Sequence, residues 1–174
     1  LHIDFESGPL PFHFDPMGIH LEVGDIVRFD FESPDHTVTA YHPGHGRQRR
    51  VPDDEVPFAS PMINAGGFWL YRFDHAGTYD IYCGPHQFFA MVMRIVVGDP
   101  DCAGYDDEFG EPGEEARPPL SAAELTALLD GFSDTEELTW DHPTSADVFA
   151  TDALSVDTIV EDGPITKDDV VGDL

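Results

Sequence analysis

Tyr79-Asp80-Ile81-Tyr82-Cys83-Gly84-Pro85-His86-Gln87-Phe88-Phe89-Ala90-Met91 decides how the chain is read. Its first residues have the Tyr- and Ile-rich character of a strand. Strand side chains alternate, so if Tyr79 and Ile81 face a core, Cys83 faces it too. Gly84-Pro85 breaks the ladder, because proline has no N–H to donate. His86 then lies on a short loop, and Met91 opens the next run, Met91-Val92-Met93-Arg94-Ile95-Val96-Val97. One tight loop thus carries a thiolate, an imidazole and a thioether toward a single point.

Outward from this stretch the same period of two recurs. Ile19 to Val23 alternates, Gly24-Asp25 reads as a turn, and Ile26 to Phe31 resumes the alternation. His36 to Tyr41, Phe68 to Phe73, Thr78 to Cys83 and Met91 to Val97 complete the set, while Pro9 to Phe14 is weakened by its two prolines. Such a series of short strands predicts an all-β fold, an antiparallel β-sandwich. The Pro- and Gly-rich excursion from His42 to Gly67 interrupts the rhythm, and long loops of this kind usually carry function or move. Its Arg47, Arg49 and Arg50 form either a docking patch for an acidic partner or, the favoured reading, a local charge balance with Asp53, Asp54 and Glu55.

A metal site needs a further ligand, and His36 is the best candidate, at a strand start just after the Ser33-Pro34-Asp35 turn. The predicted metal ligands are therefore His36, Cys83, His86 and Met91. Two imidazoles, a thiolate and a weak thioether are the ligand set of a blue copper site. Zinc is disfavoured by the Met. Pairing of Cys83 with Cys102 would abolish the site and leave the His and Met spacing unexplained. Met93 is spaced too far from His86 and reads as core. His42 and His45 read as loop polarity rather than a second site, and His2, His13, His20, His75 and His142 have no partner at metal spacing.

With these residues in place the sequence resembles the cupredoxins, in particular plastocyanin- and halocyanin-like blue copper proteins, over roughly Phe14 to Gly98. The resemblance implies a Greek-key sandwich holding one mononuclear type 1 copper. His36 then matches the family's first histidine, Cys83 its thiolate, His86 its second histidine and Met91 its axial thioether. It also implies a backbone N–H from Thr37 to the sulfur, a bond of the kind that tunes a metal site, whereas Pro85 has no N–H to add another. Electrons would pass through an exposed His86 set among Pro85, Phe88 and Phe89, with Tyr82 marking a second route. Ala90 departs from the glycine usual before the axial methionine, which constrains the loop. Phe88-Phe89 is bulky for this loop and reads equally as core. A binuclear copper site would need a second nearby cysteine, and a multicopper oxidase His-x-His pairs with a His beside the Cys; Tyr82 and Gly84 flank it here.

Charge divides the chain. The formal net charge is −27 over 174 residues. Residues 1–98 hold 13 acids and 6 bases (−7), and residues 99–174 hold 22 acids and 2 bases (−20). The predicted organisation is a copper-binding domain over 1–98 and an acidic linker and extension over 99–174. Ser121-Ala122-Ala123-Glu124 is a capping-box pattern, and Leu125, Leu128, Leu129 and Phe132 follow at helical spacing, predicting a short helix near 122–130. The rest of the extension fits a wrap over the sandwich or an element awaiting a partner.

So acidic a chain does not suit nucleic-acid phosphates or anionic membranes. A single Lys among abundant carboxylates suggests a halophilic source, where salt screens self-repulsion. No apolar run approaches a membrane span. The start at Leu1 rather than Met reads as a processed or trimmed end; no export signal is read in the chain itself, and a removed signal or lipid anchor is the one route to a membrane left open. No Ser/His/Asp arrangement, phosphate loop or paired-carboxylate pattern of comparable strength points to an enzyme. The expectation is an extracytoplasmic carrier of single electrons between redox partner proteins, membrane-associated respiratory complexes. The alternative is a copper-storage or cell-surface interaction module without redox turnover.

Overall fold

The computed structural model describes residues 8–99, 109, 116–130 and 142–174. Cys102, Phe132 and His2 lie outside the described residues.

The strands fall where the alternation places them: β1 (Gly18–Leu21), β2 (Ile26–Asp30), β3 (Thr39–Ala40), β4 (Phe68–Arg72), β5 (Gly77–Tyr82) and β6 (Val92–Val97). Pro9 to Phe14 forms no strand. The strands make a four-stranded sheet in the order β1-β6-β5-β3 and a two-stranded sheet β2-β4. β5 and β6 pair antiparallel, as do β2 with β4 and β3 with β5. β1, however, runs parallel to β6, with Ile19 opposite Ile95. The sandwich is therefore mixed rather than antiparallel. Alternation reports which face a side chain takes and carries no information on strand direction.

Between the sheets lies a core that includes Phe29, Phe31, Val38, Phe73, Tyr79, Ile81, Met93 and Ile95. Met93 is thus core, and Tyr79 and Ile81 point inward. The other face of the four-stranded sheet is covered as well. Met17, Tyr82, Val92 and Val96 pack with Val148, Phe149, Leu154, Ile159 and Ile165 in a second core. Every residue of β5 and β6 is buried as a result.

The covering layer comes from the acidic extension. The helix over Ala122–Asp130 (α1) forms as predicted, with Ser121 and Glu124 bonding reciprocally at its start. Among the described residues three further α-helices follow: α2 (Ser145–Phe149), α3 (Val156–Asp162) and α4 (Lys167–Asp173). Thr144 and Asp147 cap α2 reciprocally, as Thr166 and Asp169 cap α4. The extension also joins β1 by backbone bonds: Met17 N–H donates to Ile165 C=O (2.8 Å), and Ile165 N–H to Gly18 C=O (2.8 Å).

The arginines of the long loop do not act together. Arg50 is fully buried and meets Asp80 of β5 at 2.7 Å, not the acids beside it in sequence. Arg94 of β6 grips the same carboxylate (2.8 Å) and donates to Leu154 C=O (2.7 Å). Glu55 is taken by the hydroxyls of Tyr71 and Tyr79. Only Arg49 approaches a local acid, Asp53, at 4.0 Å. The loop itself returns beside the His36–Ala40 segment, where Ile63 N–H donates to His36 C=O and Ala40 N–H to Phe58 C=O.

Candidate metal centre

Cys83 follows the last residue of β5 and is completely buried. Its N–H donates to Met91 C=O (3.0 Å), which closes the loop between β5 and β6. His86 N–H donates to Cys83 C=O (3.1 Å), and a short 3-10 turn over Gln87–Phe89 follows. Ala90 then adopts the left-handed conformation (φ 57°, ψ 31°). That region costs a residue with a Cβ about 1–2 kcal/mol, which is why glycine suits the position.

His36 reaches the same point from the other side. Its Nδ1 is 3.6 Å from Cys83 Sγ and 3.1 Å from His86 Nδ1, and His86 Nδ1 is 3.4 Å from the sulfur. Ser33 Oγ lies 2.6 Å from His36 Nε2. With a proton on Nε2 facing Ser33, His36 Nδ1 presents its lone pair inward. Three soft or borderline donors thus aim at one small buried space, which is what a metal ion requires. Among the described residues this is the single cluster of His, Cys and acidic side chains able to hold one. Met91 is buried and lines, with His36, Phe12 and Met93, a cavity of about 440 Å³ beside the cluster.

Burial sets the charge state of the donors. It pushes the Cys83 thiol up, against the N–H groups of Thr37 and His86 that favour the thiolate. It pushes His36 down, and it lowers His86 to about 4 with the help of nearby His36. Both imidazoles are therefore neutral ligands at physiological pH, and a bound cation would take the place of the thiol proton.

The expected Thr37 N–H bond to Cys83 Sγ is present at 3.4 Å. Thr37 also accepts from Gly84 N–H through Oγ1 (2.8 Å), stitching the His36 segment to the cysteine loop. A Cβ at Gly84 would stand 3.2 Å from that oxygen, so the close approach favours glycine.

A family model for copper-binding proteins of the plastocyanin/azurin family matches residues 2–98. The chain belongs to that family. Copper is the cofactor of this cupredoxin, and the donor set described above fits it. The chain is 28% identical over 86 residues to a pseudoazurin of Methylorubrum extorquens, covering 49% of this chain and 52% of the relative. It thus spans about half the length of the curated relative it matches. Among solved structures, pseudoazurin from Methylobacterium extorquens AM1 is 23% identical, with a TM-score of 0.46 over 68% of this chain and 85% of that one. A purple cupredoxin from Nitrosopumilus maritimus is also 23% identical, with a TM-score of 0.40 over 49% and 82%.

Two expectations drawn from the resemblance fail in this cupredoxin. His86 is not an exposed port: it is 5% accessible, and the Phe12 ring stacks on it with centroids 4.0 Å apart and planes 16° apart. Tyr82 offers no surface route either; it is buried, packed against Tyr41 and under the Arg47 guanidinium. Pro85, Phe88 and Phe89 are half-buried.

Ser33 and Phe12 are the site neighbours that sequence reasoning missed. The turn before His36 held a signal for Ser33, a hydroxyl beside a candidate ligand. His42 and His45 bond to the Gly44 N–H and the Phe58 C=O, in keeping with loop polarity.

Proposed function

We propose that the chain is a type 1 copper electron carrier in which His36, Cys83 and His86 hold the metal and Met91 is the weak axial ligand. Bound there, copper supplies a one-electron couple that needs no substrate and no proton. The observation that carries the reading is the triangle of Nδ1, Nδ1 and Sγ, each side 3.1–3.6 Å. The protein keeps those donors still. Ser33 and the Ile63 N–H hold His36, the Thr37 N–H and the end of β5 hold Cys83, and the 3-10 turn orients His86. A frame fixed by two packed cores rearranges little when charge changes by one unit.

Redox proteins outside the cytoplasm, among them membrane-associated respiratory complexes, are the proposed partners. The acidic, Lys-poor composition supports a salt-rich setting. The described residues contain no helix long and apolar enough to cross a membrane.

Adding Cu(II) to the purified chain tests the reading. An intense thiolate-to-copper band in the visible and a reversible voltammetric wave are expected. Cys83→Ser should bleach the band while circular dichroism stays unchanged. A colourless copper adduct with no reversible wave would point instead to storage.

A further inference from the structure

Residues 8–17, just before β1, form no strand, yet this stretch is held firmly at two points. Leu10 is fully buried in the core beneath the extension, and so is Met17. Met17 is further fixed by its N–H to Ile165 C=O and by its C=O, which accepts from Arg94 N–H at 2.9 Å. Between these anchors the chain lays Phe12 over the metal cluster. The ring stacks on His86, meets Phe89 at 5.6 Å between centroids and stands edge-on to His36 at 6.0 Å. Phe12 is itself half-buried, whereas His86 is buried. A reagent approaching over this ring therefore meets Phe12 before it meets His86.

Resting on the electron-carrier reading, we propose that Phe12 is the outer boundary of the electron path, a positioning residue that keeps redox reagents one ring's thickness away from His86. One electron crosses between the site and a one-electron acceptor; no bond forms or breaks and no proton moves. The stacked ring also excludes water from the imidazole face, so the neutral ligand stays in a low-dielectric setting.

The test uses the copper-loaded full chain and a cationic cobalt(III) phenanthroline complex as one-electron oxidant. In Phe12→Ala the visible band and circular dichroism should persist, while the second-order rate constant for oxidation rises several-fold because the reagent can now touch His86. Phe12→Leu, which keeps the cover but removes the aromatic ring, should leave that rate constant within about two-fold of the parent. A rate constant in Phe12→Ala that is unchanged or lower would overturn the proposal. An independent readout needs no variant to fold. In the reduced parent protein the His86 ring protons should show an upfield ring-current shift and cross-relaxation with the Phe12 ring; absence of both also overturns it. A parent protein that takes up copper without colour or reversible redox behaviour would instead sink the electron-carrier reading itself.

Discussion

Ser145 donates its hydroxyl to the backbone carbonyl of Gln87 at 3.0 Å, and the pair is buried. Ser145 is the first residue of α2, in the acidic extension, and Gln87 opens the 3-10 turn between His86 and Met91. The extension thus touches the metal-binding loop directly. Ser145→Ala removes one of two donors to this carbonyl, which keeps the Ala90 N–H (3.1 Å), at a cost of about 0.5–1.5 kcal/mol. We expect a lower denaturation midpoint and faster loss of copper to a chelator. Unfolding curves and a chelator time course check this. Unaltered copper release with reduced stability would confine the bond to holding the extension in place.

Asp80 is buried between two guanidiniums, those of Arg94 and Arg50. Burial alone pushes its carboxyl up, but the two arginines outweigh it and hold the group below its ordinary 3.8. A carboxyl lowered in the folded state stabilises fully above the ordinary carboxylate range, and that contribution is lost as pH falls through the folded value. Stability should therefore hold from neutral pH down to about 4 as far as Asp80 is concerned, then drop below it. Asp80→Asn removes the carboxylate that both buried guanidiniums share and should cost about 3–5 kcal/mol at neutral pH. Denaturant titrations across pH for both proteins measure this; the variant should lose the acid-side slope that Asp80 contributes.

The strands of the sandwich were legible because Ile26 to Phe31 and Phe68 to Phe73 have one buried face and so alternate. β6 was legible as a strand, though its near-continuous apolar run, broken only by Arg94, also signals a sheet covered on both faces. That second cover was not assigned, since α2, α3 and α4 are only 5–7 residues each, too short for a clear apolar stripe. Their N-caps Thr144, Ser155 and Thr166 each bond the turn that follows, a signal that the sequence reading passed over. At the metal centre Cys83 and His86 share one loop, so their convergence with His36 was readable from spacing and strand position. Phe12 was not, because Pro9 and Pro11 obscure the local pattern and its contact with His86 is made only by the tertiary fold. Arg50 misled for a similar reason, its acid lying on a distant strand.

Ala90 sits in the left-handed region with its side chain completely buried. Two terms oppose each other on replacing it by glycine. Relief of backbone strain contributes about 1–2 kcal/mol, and loss of a buried methyl removes about 0.8 kcal/mol. Ala90→Gly should therefore be neutral to mildly stabilising, by less than about 1 kcal/mol. Ala90→Val adds a branched Cβ where φ is positive and the space is filled, and should cost more than about 2 kcal/mol. Paired unfolding curves decide the matter; a valine variant as stable as the parent would show that the loop relaxes out of this conformation.

Charge gives the last prediction. The net −27 comes mainly from residues 99–174, and the helices of that region lie on the sheet through apolar contacts such as Phe149 and Ile159. Repulsion among exposed carboxylates opposes that packing, and salt screens it, with a Debye length falling from about 10 Å at 0.1 M to about 3 Å at 1 M. Salt also strengthens apolar burial when its ions are excluded from the surface. Both effects have the same sign, while the Asp80 pair with Arg50 and Arg94 is shielded from solvent and changes little. The thermal midpoint should rise steadily from dilute buffer into molar potassium chloride. Because the repulsive charge is concentrated in the extension, backbone amides of α2 to α4 should gain more protection from hydrogen exchange than those of β2 and β4. Equal gains in both regions would mean that screening acts on the whole surface and not on the seating of the extension.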